Sequence, residues 1–289
     1  MPEPTSLISL GELSKPATVL VEKISEAVGG IFRPFQIRRI AEAEADAAKI
    51  QTKAQIEISD LQRRAMHRFL IEEGQKQENI ESITQKALQG VSEDARPENI
   101  ERDWIVNFFD KGRLVSDDEM QSLWSRILAG EANKPGFCSK RTVDLLSSMD
   151  KSEAELFKSF CTFVWDVGGL SPLIYDVEEP IYNDAGISFN SLQHLELAGL
   201  INFDNVGKFR RIALAQDVTV GYYGEPYRIS FPVGGKNDLP VGAALLTVPG
   251  KQLANVSGSI PSPAFRDYVL AHWEKALLLS VTKVTGLES

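Results

Sequence analysis

Between Gln36 and Lys76 the chain carries no proline and only one glycine, Gly74, near the end of the stretch. Ala, Glu, Gln, Lys and Arg dominate it, residues that lose little on entering a helix. Ile50, Ala54, Ile58, Leu61, Ala65 and Phe69 follow at steps of four, four, three, four and four, a spacing that keeps them on one helix face. Asp60 and Arg64 stand at the separation that lets opposite charges meet on a helix surface. A helix over this stretch would extend about 60 Å at 1.5 Å per residue. So narrow and Ala-rich a stripe cannot stabilise a lone helix, and it calls for a partner from this chain or from another copy. The segment 36–90 therefore reads as an oligomerisation helix, with those six residues as its contacts. Eight Lys or Arg against seven Asp or Glu leave residues 36–76 nearly neutral, so copies can align without strong repulsion. A closed homo-oligomer is the expected outcome, with a dimer as the default.

The remaining composition bounds the function classes. Of 289 residues, 43% are hydrophobic and 25% charged, enough for a packed core. A formal net charge of −9 argues against a generic nucleic-acid coat, though not against a local basic patch. Two cysteines, Cys138 and Cys161, are too few for a disulfide framework and suit reduced thiols in the cytoplasm. Met1-Pro2-Glu3-Pro4 lacks the basic start of an export signal, and no run approaches the roughly 18 to 20 apolar residues that span a bilayer. A soluble, cytoplasmic protein is expected, with at most peripheral membrane contact.

Within residues 1–35, Pro16 to Val28 reads as a short amphipathic helix, capped by Ser14 and ended by Gly29-Gly30. Leu20, Ile24, Phe32 and Phe35, with Arg33, Arg38 and Arg39 nearby, offer a membrane-contact reading. Glu22 and Glu26 against Lys23 make a poor polar face for anionic lipid, which favours docking on its own domain or on a sister subunit.

Ser92 to Pro97 reads as a linker. It leads to a central helical region, 98–149, where Trp104, Phe108, Phe109, Leu123, Trp124, Ile127 and Leu128 fall on helical periods. Ser116-Asp117-Asp118-Glu119 reads as an N-cap with an acidic first turn rather than as acid/base or metal chemistry. Residues 150–289 mix elements. A helix capped at Ser152 is expected to run to Val167 and to stop at Gly168-Gly169. Another should span Asn190 to Gly199, strand patterns begin at Leu200, Phe209, Val218, Tyr227 and Val241, and a last helix should cover Pro263 to Leu279. A Leu-x-x-Leu-Glu-x-x-Gly-Leu-Ile helix followed by a β-ribbon resembles a winged-helix domain. That resemblance opens a DNA-binding reading with Arg210 and Arg211 on the wing. The helix that would enter the groove offers Asn190, Ser191, Gln193, His194 and Glu196 but no Arg or Lys, and winged helices also serve as protein-interaction modules.

No catalytic motif emerges. His67, His194 and His272 are scattered, outside any HExxH or Cys/His ligand spacing. Arg63-Arg64-Ala-Met-His67 is too tightly spaced for the Arg-x4-6-His motif of helical ribonucleases. Gly234-Gly235-Lys236 fails as a phosphate loop, because Asn237 stands where Ser or Thr is needed. No enzyme, metal or cofactor is expected.

Three segments resemble a bacterial family catalogued only as a domain of unknown function. They are Ser9-Leu-Gly-Glu-Leu-Ser-Lys-Pro-Ala-Thr, Gly29-Gly-Ile-Phe-Arg-Pro-Phe-Gln-Ile-Arg-Arg-Ile and Ser116-Asp-Asp-Glu-Met-Gln-Ser-Leu-Trp-Ser-Arg-Ile-Leu-Ala-Gly-Glu. The Trp124 segment alone is also similar to the Leu-Trp-Ala-x-Leu-Leu-Ala helix of abortive-infection alpha proteins, a resemblance that implies bacterial defence against phage. Together these readings make the chain mostly α with a C-terminal α/β part. A long N-terminal helix and a central helical region precede a winged-helix-like C-terminal domain. The expected function is a non-enzymatic scaffold, sensor or effector that binds itself and another protein. A DNA-binding regulator and a membrane-perturbing effector are the alternatives.

Overall fold

The structure, a computed structural model, describes residues 13–29, 60–232 and 234–284. Ile50, Ala54, Ile58, Phe32 and Phe35 lie outside the described residues. The chain divides into two compact units, Met1–Ser147 and Ser148–Ser289, and is mixed α and β overall.

In the first unit, α1 (Lys15–Val28) starts where the Ser14 side chain accepts from the Ala17 N–H and ends at Gly29, which adopts the left-handed conformation. Its apolar face, Ala17, Leu20, Val21 and Ile24, is buried against a 3-10 turn at Pro97–Asn99 and against α3 (Arg102–Gly112). Lys23 fastens the other flank by donating to the carbonyls of Glu98 and Ile100.

Helix α2 spans Asp60–Leu88 and runs straight through Gly74. Its last turns bury Ile80, Ile83 and Ala87, packing on α4 (Asp118–Asn133) and α3. Helix α5 (Lys140–Ser148) follows. Trp124 is fully buried at the centre, edge-on to Phe108 at 4.9 Å, and Phe108 stacks on Trp104 at 5.0 Å. Burying aromatic side chains of this size contributes most of the cohesion of so small a helical unit.

The second unit opens with α6 (Lys151–Cys161), whose capping box pairs Asp150 with Glu153 rather than starting at Ser152. The helix stops at Cys161, short of the expected Val167. Phe163 and Trp165 are aromatic and Val164 β-branched, residue types that favour strands, and Gly168 and Gly169 take positive φ to turn a hairpin. The hairpin strands are β1 (Val164–Asp166) and β2 (Leu170–Pro172). Helices α7 (Pro180–Asn183) and α8 (Phe189–Leu197) lead to β3 (Ile201–Phe203). Then come β4 (Phe209–Leu214), β5 (Asp217–Tyr222), β6 (Glu225–Ser230), β7 (Asn237–Gly242) and β8 (Ala244–Leu246). Helices α9 (Val248–Ala254) and α10 (Pro263–Lys275) precede β9 (Ser280–Lys283).

Strands β2-β1-β5-β6-β9 form one antiparallel sheet, while β3 pairs with β8 and β4 with β7. The single strand expected over Val241–Val248 is broken at Gly242. The Ile174 backbone crosses there, accepting from Ala243 and donating to Val241. Gly242 has φ 101°, and a Cβ on it would overlap the Ile174 carbonyl. Only glycine fits.

Candidate functional site

The first sixteen residues of α2, Asp60 to Gln75, are exposed throughout. Five large apolar side chains lie among them: Leu61, Met66, Phe69, Leu70 and Ile71 are each between 59% and 69% exposed. Leu61, Ala65 and Phe69 share a face, and Phe69 precedes Ile80 by eleven residues, close to three turns. Two apolar patches thus lie on one side of α2, separated by the charged turn of Glu72, Glu73 and Lys76. The C-terminal patch is packed in the core, and among the described residues nothing covers the N-terminal one. A charge pattern accompanies the bare half: Arg63, Arg64 and Arg68 near its start, Glu72 and Glu73 near its end. The ion pairs made here, Arg63 to Asp60 at 3.6 Å, Arg68 to Glu72 at 3.5 Å and Lys76 to Glu73 at 2.7 Å, lie at the surface and contribute little.

The other candidate positions are placed differently. Leu20 and Ile24 are core residues of the first unit, so the lipid-contact reading fails for them: their apolar surface is already covered. Arg210 and Arg211 sit on β4, opposite Pro240 and Leu239 of β7. Arg210 is exposed. Arg211 is half-buried, and its guanidinium donates to Ser171 Oγ at 2.9 Å and to the Gly169 carbonyl at 3.2 Å, tying the ribbon to the β1–β2 hairpin. On α8, His194 Nε2 lies 2.9 Å from Glu153, and Glu196 accepts from the Phe203 N–H at 2.8 Å. The most exposed apolar side chain there is Leu197, at 87%.

Asp117 caps α4 by accepting from the Glu119 and Met120 N–H groups, both at 3.0 Å, and Asp118 pairs with Lys86. Among the described residues no group of three His, Cys, Asp or Glu is placed to hold a metal ion, and no helix is long and apolar enough to cross a membrane. Burial pushes both thiols, Cys138 and Cys161, up to about 12, far from thiolate chemistry at neutral pH.

A buried carboxylate, Glu131, escaped the sequence reading. It accepts from the Gly136 and Cys138 N–H groups at 2.7 and 2.8 Å and closes the loop after α4. Burial raises its pKa, and the two N–H groups offset part of that shift. A Glu followed five and seven residues later by loop amides is too common a pattern to flag it.

No curated protein and no solved structure matches this chain. A family match does cover residues 63–269, from within α2 to within α10. Of the three segments on which a family was read, only Ser116–Glu131 falls inside it. With more than half of its length matched, the chain belongs to the family described as protein of unknown function (DUF2806).

Proposed function

We propose that this protein is a non-enzymatic interaction protein that assembles with itself through the first half of α2. The observation that carries this reading is the apolar stripe of Leu61, Ala65 and Phe69, flanked by Met66 and Leu70 and left uncovered among the described residues. Exposed apolar patches of this kind mark association surfaces. The occupant it suits is a second copy lying antiparallel. That arrangement sets Arg63 and Arg64 of one copy against Glu73 and Glu72 of the other, and two-fold symmetry makes the match twice. The long helix read over 36–90 would extend the same seam upstream. Light scattering on the purified chain tests it. A dimer that Leu61→Asp with Phe69→Asp splits into folded monomers supports the reading, and a monomer at all micromolar concentrations refutes it.

The second unit supports a winged-helix-like interaction module. What supports this reading is the order helix, hairpin, two helices and the β3–β8 pair, with the β4–β7 ribbon and the sheet strands β5 and β6 lying between β3 and β8 in the chain. A protein partner suits it better than DNA, since Arg211 is engaged internally and α8 carries no Arg or Lys. A setting in antiviral defence rests on the Leu123-Trp124 helix resemblance alone. Phage plating on cells with and without the gene tests it, and equal plaque counts across phage types would exclude it.

A further inference from the structure

The outer face of the five-stranded sheet in the second unit floors a cleft of about 600 Å³, within the ~300–1,000 Å³ typical of small-molecule sites. Strand alternation builds it. Trp165, Val220, Tyr222 and Tyr227 turn into the core, which sends Asp166, Thr219 and Gly221 to the opposite side. The register sets Asp166 beside Gly221, and Gly221 beside Pro226. The floor therefore runs from the Asp166 carboxylate, across Gly221, to the Pro226 ring.

One wall is Tyr223, held at φ 47°, a conformation uncommon for a bulky residue. Its hydroxyl lies 2.6 Å from Ser259 Oγ and 3.2 Å from the Cys161 carbonyl, which pins the ring. Gly168 and Gly224, both with positive φ, leave the rim without side chains.

Charge selects the ligand. Glu225 lines the cleft but is already engaged by the Tyr227 hydroxyl at 2.6 Å, by Lys283 at 3.1 Å and by Arg266 at 3.6 Å. Asp166 is not. It accepts one backbone N–H, from Gly169 at 2.7 Å, and has no ion pair among the described residues. No Lys or Arg is among the residues lining the cleft, although Arg228 stands opposite Thr219 on the same face of the sheet. A phosphate or carboxylate would meet an uncompensated negative charge here, whereas a cation would relieve it. We infer that this cleft binds a small primary amine carried on an apolar, ring-sized body. The ammonium sits on Asp166 and the body lies over Gly221 and Pro226 against Tyr223. The site lies in the second unit and does not depend on self-association through α2.

Three probes share one body and differ in charge: tyramine, tyrosol and 4-hydroxyphenylacetate. Titrated into the full chain and followed by ligand-observed NMR, tyramine binds, tyrosol binds at least about tenfold more weakly and the carboxylate does not bind. Asp166→Asn keeps the acceptor for the Gly169 N–H and lowers tyramine affinity about tenfold or more. Gly221→Val fills the floor and abolishes binding. Gly221 has no positive φ, and a Cβ there meets only ordinary contacts, 3.8 Å from Asp166 Cβ; an unchanged melting curve for the variant shows that the loss is of the site and not of the fold. Failure of tyramine to bind, equal binding of tyrosol or the carboxylate, or an Asp166→Asn variant with unchanged affinity would each overturn the assignment.

Discussion

The indole of Trp124 lies directly over Gly112: a Cβ on that glycine would stand 3.2 Å from Trp124 Cε3. The close approach lets the last turn of α3 meet α4 across a fully buried indole. Replacing Trp124 by Ala empties that space and should cost roughly 3–5 kcal/mol. The expected result is loss of cooperative unfolding in the first unit, read by denaturant titration. Gly112→Val should destabilise as well, by about 1–3 kcal/mol through overpacking.

Two residues on the same side of α2 should behave oppositely. Ile83 is fully buried and Leu61 is not. Ile83→Ala should lower stability by about 2–5 kcal/mol at any protein concentration. Leu61→Ala should leave the monomer within about 0.5 kcal/mol and weaken only association. Melting curves taken over a hundredfold range of concentration separate the two effects.

Glu131 makes a pH-dependent contribution whose sign is the reverse of the usual carboxylate. Burial raises its pKa in the fold, so the folded state holds the proton more tightly than the unfolded chain does. The stabilisation from that residue is fully present below the unfolded carboxyl range and shrinks as pH rises through the raised folded value. Glu131→Gln leaves one of the two loop N–H groups without its acceptor and should cost about 1–3 kcal/mol. The gap between wild type and variant, measured by urea unfolding, should be widest at acid pH and narrow towards neutrality.

At Gly242 any side chain is excluded twice, by φ 101° and by the Ile174 carbonyl. Gly242→Ala should break the Ile174 crossing and cost about 3 kcal/mol or more, from strain and lost hydrogen bonds together. Hydrogen exchange at Ala243, whose N–H donates to Ile174 at 2.8 Å, reports the change.

The two arginines of β4 should also part company. Arg211→Ala removes the hydrogen bonds to Ser171 and Gly169 and should cost about 1–2 kcal/mol. Arg210→Ala should change stability by less than about 0.5 kcal/mol. If duplex DNA binds at low salt and Arg210→Ala flattens the salt dependence, the protein-partner reading of the second unit is wrong.

Local signals in the chain were enough to locate much of the secondary structure. Ser14 and Gly29 bracket α1, Asp117 caps α4, and Gly199 with φ 78° ends the turn after α8, because caps and left-handed glycines act within a few residues of themselves. The 3.6-residue spacing likewise marked Trp124 and its neighbours as one helix face. The sequence could not say which parts of a stripe are covered. Leu61 and Phe69, read as stripe residues, lie on the same side of α2 as Ile80 and Ile83, yet only the latter two are buried, since burial depends on where a distant helix lands. Leu20 and Ile24 have the spacing of a lipid-facing helix, and docking on α3 decides otherwise. The β1–β2 hairpin and the split at Gly242 were hidden for the same reason. Val164 and Trp165 pair with Pro172 and Ser171 of β2 while Trp165 stacks on Tyr222 of the distant β5, and Gly242 breaks its strand because Ile174 passes within bonding distance. The cleft over Asp166 and Gly221 is the extreme case: residues fifty-five positions apart become neighbours through strand register, a nonlocal choice that no periodicity in the chain encodes.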